Sequence, residues 1–271
     1  GLKGGDKALL CMPLGYIAGK MVVVRSLVAG LELIPIAPCG HPLSGMKESP
    51  TFAAMIPMQV YNSLQVPEER TVLEGIKHLI IGGGAIDDGL ANELKHFPNN
   101  VWSTYGMTET LSHIALRRLN GDNASDWYMP FDQVHIRLSE EGTLVIHAPE
   151  VCAEELTTND IAEINEKGEF RILGRKDNVI NSGGIKIQIE QVEALLKPHL
   201  STPFLITSTS DAKFGEAVVL LYEKGNEEEL QALCKAALPP YWMPKRFVQV
   251  EALPLTETGK PNRPAARILA R

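Results

Sequence analysis

His78-Leu-Ile-Ile-Gly-Gly-Gly84 sets the frame of the chain. A short apolar run met at once by three glycines reads as a strand ending in a turn. Upstream, Ala8–Met12 reads as a buried strand and Tyr16–Ala29 as a helix with Arg25 interspersed, stopped by Gly30. Leu31–Ala37 is a second strand closed by Pro38, Phe52–Ile56 another strand, and Met58–Leu64 a helix. Downstream, Asp87–Phe97 is a polar-faced helix with Asp87 or Asp88 as its cap. Val101-Trp-Ser-Thr-Tyr-Gly106 is again strand into turn. Strands alternating with helices predict an α/β domain with a largely parallel sheet.

The texture changes after Thr110. His113–Leu119, Gln133–Leu138, Thr143–Ala148, Ile161–Ile164 and Phe170–Leu173 are short strand signals, with turn chemistry at Glu140-Glu-Gly142 and Asn165-Glu-Lys-Gly168. These predict an antiparallel β subdomain. Gly174-Arg-Lys-Asp177 then puts three charges at a seam, which suggests a hinge, and Ser182-Gly-Gly184 marks a place where backbone must come close to something. Beyond it, helices at Gln188–Leu196 and Glu227–Ala237 and strands at Phe204–Thr209, Ala217–Tyr222 and Arg246–Val250 form a small α+β unit. The predicted class is α/β: a large N-terminal part, residues 1–174, with a mixed parallel sheet and a β subdomain, and a small mobile α+β C-terminal domain, residues 175–271.

A chain of 271 residues, 44% hydrophobic and 22% charged, has ample material for two cores. A net charge of -7 argues against nucleic acid as the partner. Cys11, Cys39, Cys152 and Cys234 are scattered, without a Cys-x-x-Cys pair, and fit free thiols in a reducing compartment. No run is long and apolar enough to span a membrane, and no signal segment opens the chain, so a cytoplasmic location is expected.

Ligands of open α/β folds bind at the carboxyl ends of the parallel strands, which is where Gly82–Gly84 and Tyr105–Thr110 stand. The glycine turn lacks the Gly-Lys-Ser/Thr of a Walker loop. Tyr105-Gly-Met-Thr-Glu-Thr110 admits two readings. One is the start of a helix with Thr108 as N-cap. The other is a nucleotide site, in which the ring stacks on a base, a hydroxyl bonds a phosphate and the Glu109 carboxylate holds Mg²⁺. Near the end, Pro254-Leu-Thr-Glu-Thr-Gly-Lys260 is a turn with a solvated lysine, or a loop that carries a point charge into a site.

Together these motifs resemble the adenylate-forming superfamily of acyl- and aryl-CoA synthetases, luciferases and peptide-synthetase adenylation domains. Tyr105-Gly-Met-Thr-Glu109 is similar to its Tyr-Gly-x-Thr-Glu motif, and Gly174-Arg-Lys-Asp177 with Gly183-Gly184 and Glu193 to its hinge motif. Pro254–Lys260 is similar to its terminal lysine motif, and Thr158-Asn-Asp160 stands where Thr-Gly-Asp is usual. Within the superfamily, Tyr105–His113 looks most like the o-succinylbenzoate–CoA ligases of menaquinone biosynthesis.

The resemblance implies an ATP-dependent, AMP-forming acid–CoA ligase that uses Mg²⁺, with a small carboxylic acid, ATP and CoA as its partners and self-association left open. It implies that Tyr105 stacks on adenine, with Gly106 beside it and Gly82, Gly83 and Gly84 along the other side. Thr108 would bond the α-phosphate and Glu109 would ligate Mg²⁺. Asp160 would take the ribose hydroxyls, and Arg175 the ribose or phosphates. Asp177 would be the pivot, Ser182, Gly183 and Gly184 would serve the CoA half, and Lys260 would bridge the acid and the α-phosphate. Ser112 and His113 are candidates for the acyl pocket. Lys20, Arg117 and Arg118 are candidate cations for a second carboxylate. Other readings are a different aryl- or acyl-CoA ligase, a carrier-loading adenylation domain, or a non-catalytic nucleotide-binding fragment.

Three departures stand out. The superfamily's phosphate loop is missing and is expected upstream of Gly1, as part of a longer protein. Tyr16 stands where relatives often have histidine, and is expected to be core. Asn159 replaces a glycine and is expected to alter a turn.

Overall fold

The computed structural model describes every residue except Asp87 and Glu257–Gly259; the Asp88 side chain is likewise left undescribed. The proposed Asp87 cap and the middle of the lysine motif therefore lie outside the described residues. The chain divides into two compact units. One comprises residues 1–139, 145–158 and 164–171, and the other residues 140–144, 159–163 and 172–271.

The first unit opens with β1 (Lys7–Leu10), α1 (Ile17–Ala29), β2 (Glu32–Pro35) and β3 (Phe52–Met55). Then come α2 (Pro57–Leu64), α3 (Pro67–Gly75), β4 (His78–Ile81), α4 (Asp88–Leu94), β5 (Asn100–Gly106), β6 (His113–Arg118) and β7 (Met129–Pro130). They build a sheet of order β2-β1-β3-β4-β5-β6-β7. β1 to β5 pair in parallel, while β5–β6 and β6–β7 are antiparallel. Alternation of side chains along each strand fills both faces. Leu9, Ala53, Met55, Leu79 and Ile81 meet α2, α3 and α4 on one face, through Val60, Leu73 and Leu94. Ala8, Leu10, Phe52 and Ala54 meet Val22 of α1 on the other. Gly30 ends α1 with φ 65°, as a left-handed stop that glycine adopts without steric cost.

β8 (His135–Leu138), β9 (Thr143–His147), β10 (Leu156–Ile164) and β11 (Phe170–Arg175) form a sheet of order β11-β10-β9-β8. After a short turn at Lys176–Asn178 come β12 (Val179–Ser182), β13 (Ile185–Gln188), α5 (Ile189–Leu196), β14 (Phe204–Asp211) and β15 (Gly215–Tyr222). α6 (Glu227–Ala237), β16 (Arg246–Gln249) and α7 (Arg263–Leu269) complete the second unit. Its sheet runs β13-β12-β15-β14, with β16 added parallel to β15. Ile180, Ile187, Ile206, Val218 and Leu220 pack under α5 and α6, while Val219 and Leu221 meet Ala266 of α7.

Several expectations need correction. β6 belongs to the large sheet, because residues 106–113 reverse the chain and lay β6 against β5. No helix follows Tyr105, so Thr108 is no N-cap. Thr158–Asp160 lies within a nine-residue strand rather than a turn. Tyr16 is half exposed at the entrance to α1 and is not core. α3, β7 and α7 had no sequence counterpart. Among the described residues no helix is long and apolar enough to cross a membrane, and all four cysteines are free.

Candidate active site

In the first unit β4 and β5 run in parallel, with Ile81 level with Ser103, so Gly82–Gly84 and Tyr105 leave neighbouring strands at the same end. A Cβ at Gly82 would collide with the Thr104 hydroxyl, so a side chain there requires that hydroxyl to turn away. Gly83 takes φ 79°, and Gly83 and Gly84 lie exposed, a strip of bare backbone.

The segment from Tyr105 to His113 is a closed loop. The strand register slips between Tyr105 and Gly106. A Cβ at Gly106 would collide with the Ser112 carbonyl and lie 2.6 Å from His113 Cα, so only glycine lets the two arms approach. Thr110, fully buried, holds the interior: its hydroxyl accepts from the Met107 N–H at 3.0 Å and donates to the Ser112 carbonyl at 2.8 Å. Leu111 takes the left-handed φ of 58°, a conformation that costs a non-glycine residue about 1–2 kcal/mol. The strained turn leaves Thr108 and Glu109 exposed at its tip. Among the described residues no three His, Cys, Asp or Glu side chains converge as a metal site. A single exposed carboxylate is nevertheless a suitable donor for Mg²⁺ that arrives on phosphates, since that ion keeps most of its shell from water and substrate oxygens.

Where the loop returns, Ser112 and His113 meet Arg25 of α1. The Arg25 guanidinium donates to the Ser112 hydroxyl and, at 3.2 Å, to His113 Nδ1. A guanidinium cannot accept, so Nδ1 is unprotonated and the ring proton sits on Nε2. Burial first, then the Arg25 charge, pulls the His113 pKa down to about 4. Burial also lowers the pKa of Arg25. On its other side His113 faces Phe131, centroids 5.5 Å apart, at the edge of an open cleft of about 330 Å³ with Val134 and Val151.

Arg25 is therefore the cation beside Ser112, and the three named from sequence are not. Lys20 points out of α1 into solvent. Arg117 lies over the Tyr128 ring with Asp126 at 3.6 Å. Arg118 lies over Trp102 and donates to Asn100 and Asn120. The signal for Arg25 was present, as a charge directly after the apolar Met21-Val-Val-Val24 run of the helix.

In the second unit Asp160, Arg175 and Asp177 form one cluster. Arg175 reaches Asp160 and Asp177, each at 3.0 Å, and Asn159 donates to Asp177 at 3.1 Å. The asparagine that replaces glycine thus ties β10 to the hinge motif. Gly183 and Gly184, with φ 59° and 83°, make the two-residue turn between β12 and β13, where Ser182 pairs with Ile185. Two consecutive left-handed residues are the type I′ geometry, which by itself asks for glycine. Lys260 is exposed, and its carbonyl accepts from the Thr256 N–H at 2.7 Å; Glu257–Gly259 lie outside the described residues.

The AMP-binding enzyme model matches residues 1–154, more than half of the chain, and the AMP-binding enzyme C-terminal domain model matches residues 207–260. The chain belongs to the AMP-binding enzyme family. Among its relatives in that family, a 2-succinylbenzoate–CoA ligase of Bacillus cereus is 25% identical over 295 residues, which cover 96% of this chain and 61% of that protein. The chain thus spans about 61% of the length of the curated relatives it matches. An acyl-CoA synthetase (AMP-forming)/AMP-acid ligase II-like protein from Dyadobacter fermentans is 32% identical, with 97% of this chain and 78% of that one covered and a TM-score of 0.62. An o-succinylbenzoate–CoA synthetase from Bacillus subtilis, solved with its acyl-adenylate intermediate, shares the fold at 22% identity, with 96% and 60% coverage and a TM-score of 0.78.

Proposed function

We propose that this AMP-binding enzyme is an ATP-dependent acid–CoA ligase and that its acid is o-succinylbenzoate. The supporting observation is Arg25, a partly buried guanidinium that meets Ser112 and a neutral His113 at the end of the Tyr105 loop. A cation flanked by a hydroxyl and an imidazole that repels a proton suits a second carboxylate on the acid, which would replace the side-chain partners with charge-assisted bonds. The 2-succinylbenzoate ligase named among the relatives points to the same acid.

In this reading the acid's carboxylate oxygen attacks the α-phosphorus of ATP, the bond to the β-phosphate oxygen breaks, and pyrophosphate leaves. The CoA thiol, losing its proton, then attacks the acyl carbon and AMP departs. Tyr105 stacks on adenine, with Gly106 beside it, over the bare backbone of Gly82, Gly83 and Gly84. Thr108 donates to the α-phosphate. Glu109 holds Mg²⁺, which when bound supplies positive charge against the phosphates. Asp160 accepts from the ribose hydroxyls, and Arg175 contacts ribose or phosphate. Lys260 offsets the repulsion between the two anions that must meet. Residues 175–271 act as the mobile domain with Asp177 as pivot, and Ser182, Gly183 and Gly184 serve the thioester half.

Pyrophosphate release across a panel of acids, in the full-length protein, tests the assignment. o-Succinylbenzoate is expected to lead the panel. Arg25→Met should raise its KM by about ten- to hundredfold, the worth of a hydrogen bond to a charged group, and leave a monocarboxylate such as benzoate unmoved. An equal effect on both acids would refute the role of Arg25. Thioester formed on a carrier protein but not on CoA would refute the acceptor.

A further inference from the structure

Tyr105 does not stand alone on β5. Ser103 and Tyr105 project from the same face of the strand, and in the register with β6 they oppose Arg117 and Ala115. The small Ala115 leaves the space over Tyr105 to other rings. Phe170, fully buried, meets Tyr105 edge-on with centroids 5.0 Å apart and planes at 81°. Tyr128 lies 5.9 Å from Tyr105, tilted by 57°, and stacks on Phe170 at 5.5 Å and 26°. The three rings close a triangle.

Tyr128 is itself pinned from four directions. Its hydroxyl is 2.7 Å from the hydroxyl of Ser103, which is 1% exposed. Its N–H donates to the Phe170 carbonyl at 2.7 Å, and the Phe170 N–H donates back at 3.0 Å. The Arg117 guanidinium covers its ring at 5.3 Å. A phenol in a loop needs none of these contacts for its own sake. Their combined effect is to hold one ring against two edges of another.

We infer that Tyr128 is a positioning residue for the nucleotide: with Phe170 it fixes the plane of the Tyr105 ring, so that adenine meets a preset face. The inference rests on the reading of Tyr105 as the adenine-stacking residue. An aromatic contact of this kind is worth about two- to tenfold in an equilibrium constant. Because Tyr128 acts through Tyr105, its loss should register on nucleotide affinity and not on the acid or on CoA.

The test uses the full-length protein and AMP as probe, with Kd from calorimetry and KM values for ATP, acid and CoA. Tyr128→Leu keeps apolar bulk but removes the ring. It should weaken AMP and raise KM for ATP by about two- to tenfold, with KM for acid and CoA unchanged. Tyr128→Phe keeps the stack, so folding is safe; losing the hydroxyl anchor should quicken flipping of the labelled Tyr105 ring in NMR line shapes. Unchanged AMP affinity in Tyr128→Leu, or a parallel shift of all three KM values, would overturn the inference. So would a Tyr105 ring whose motion is the same in Tyr128→Phe. Tyr105→Ala separates the two layers. If it weakens AMP while Tyr128→Leu does not, only the positioning role fails; if Tyr105→Ala leaves AMP binding intact, the stacking reading fails with it.

Discussion

Acidification should strain the site at His113, by an amount the structure allows to be worked out. In the folded protein His113 has a pKa of about 4, lowered by burial and then by Arg25, against an ordinary value of 6.5. Between those values the unfolded chain takes up a proton that the folded chain refuses. The unfolded state therefore binds more protons, and stability falls as the pH drops from 6.5 towards 4. Well above pH 6.5, from about pH 7.5, both states are neutral at this residue and its contribution is flat. At 1.36 kcal/mol per unit, discounted for the solvent the half-buried ring still meets, the loss approaches about 2–3 kcal/mol. That is a large share of the roughly 5–15 kcal/mol that holds a domain together. Urea unfolding at about pH 7 and about pH 4.5, on the native protein and on His113→Gln, isolates the effect, because glutamine cannot titrate. The native protein should lose more stability over that interval by about 1.5–2 kcal/mol, since pH 4.5 stops short of the folded pKa and the solvent discount applies. Arg25→Met should raise the His113 pKa only part of the way, since burial is the larger cause. Two proteins with the same pH dependence, or an imidazole that titrates near 6.5 by NMR, would refute the reasoning.

Gly106→Ala and Gly184→Ala form a contrast: the first drives a Cβ into the backbone of Ser112 and should cost more than about 3 kcal/mol with loss of nucleotide binding, whereas the second meets nothing within 4 Å and should cost only about 1 kcal/mol for its positive φ, both read as shifts in urea midpoint. Lys260→Ala should lower acyl-adenylate formation by about a hundredfold or more while sparing thioester formation from supplied acyl-adenylate; equal loss of both half-reactions would refute its assigned role. Asp177→Pro removes one exposed ion pair, to Arg175, and a hydrogen bond from Asn159, so stability should move by about 1 kcal/mol, while pyrophosphate release stays near normal and CoA transfer slows; an unchanged overall rate would exclude a pivot there.

The parallel core of the first unit was legible because its strands are short apolar runs closed by glycine or proline, as at His78–Gly84 and Leu31–Pro38. α3 escaped because Pro67-Glu-Glu-Arg-Thr-Val-Leu-Glu-Gly75 has few apolar residues, and only Val72 and Leu73 carry its packing. β6 was found as a strand but put in the wrong sheet. Partner choice depends on a tight reversal, and a left-handed Leu111 gives no compositional sign of one. Motifs located most of the candidate site residues, since spacing within one loop survives in the sequence. The Arg25–Ser112–His113 contact did not, because it joins residues 87 positions apart. The aromatic triangle was equally silent: Tyr128 and Phe170 come together through backbone bonds between the residue before β7 and the first residue of β11, 42 positions apart in sequence.

The two groups of candidate residues are held by different means, and the difference fits the work proposed for each. From Tyr105 to His113 the backbone is fixed by a buried threonine, a glycine with no room for a side chain and three packed rings, all of which resist displacement once water is excluded. A surface meant to stack and to orient a phosphate gains from such rigidity, because a preset geometry is not lost again on binding. Asp160, Arg175 and Asp177 are tied by two ion pairs of unequal exposure: Asp160 is only 14% exposed, whereas Arg175 and Asp177 are about half exposed, at 48% and 56%, and a pair of the latter kind is worth about 0–1 kcal/mol. Arg175 can exchange the exposed Asp177 carboxylate for a phosphate at little net cost. A segment proposed to turn between two half-reactions needs contacts that break and reform within each cycle. Strong, buried contacts at Asp177 would argue against a pivot there, and the exposed pair it makes with Arg175 is compatible with the proposed one.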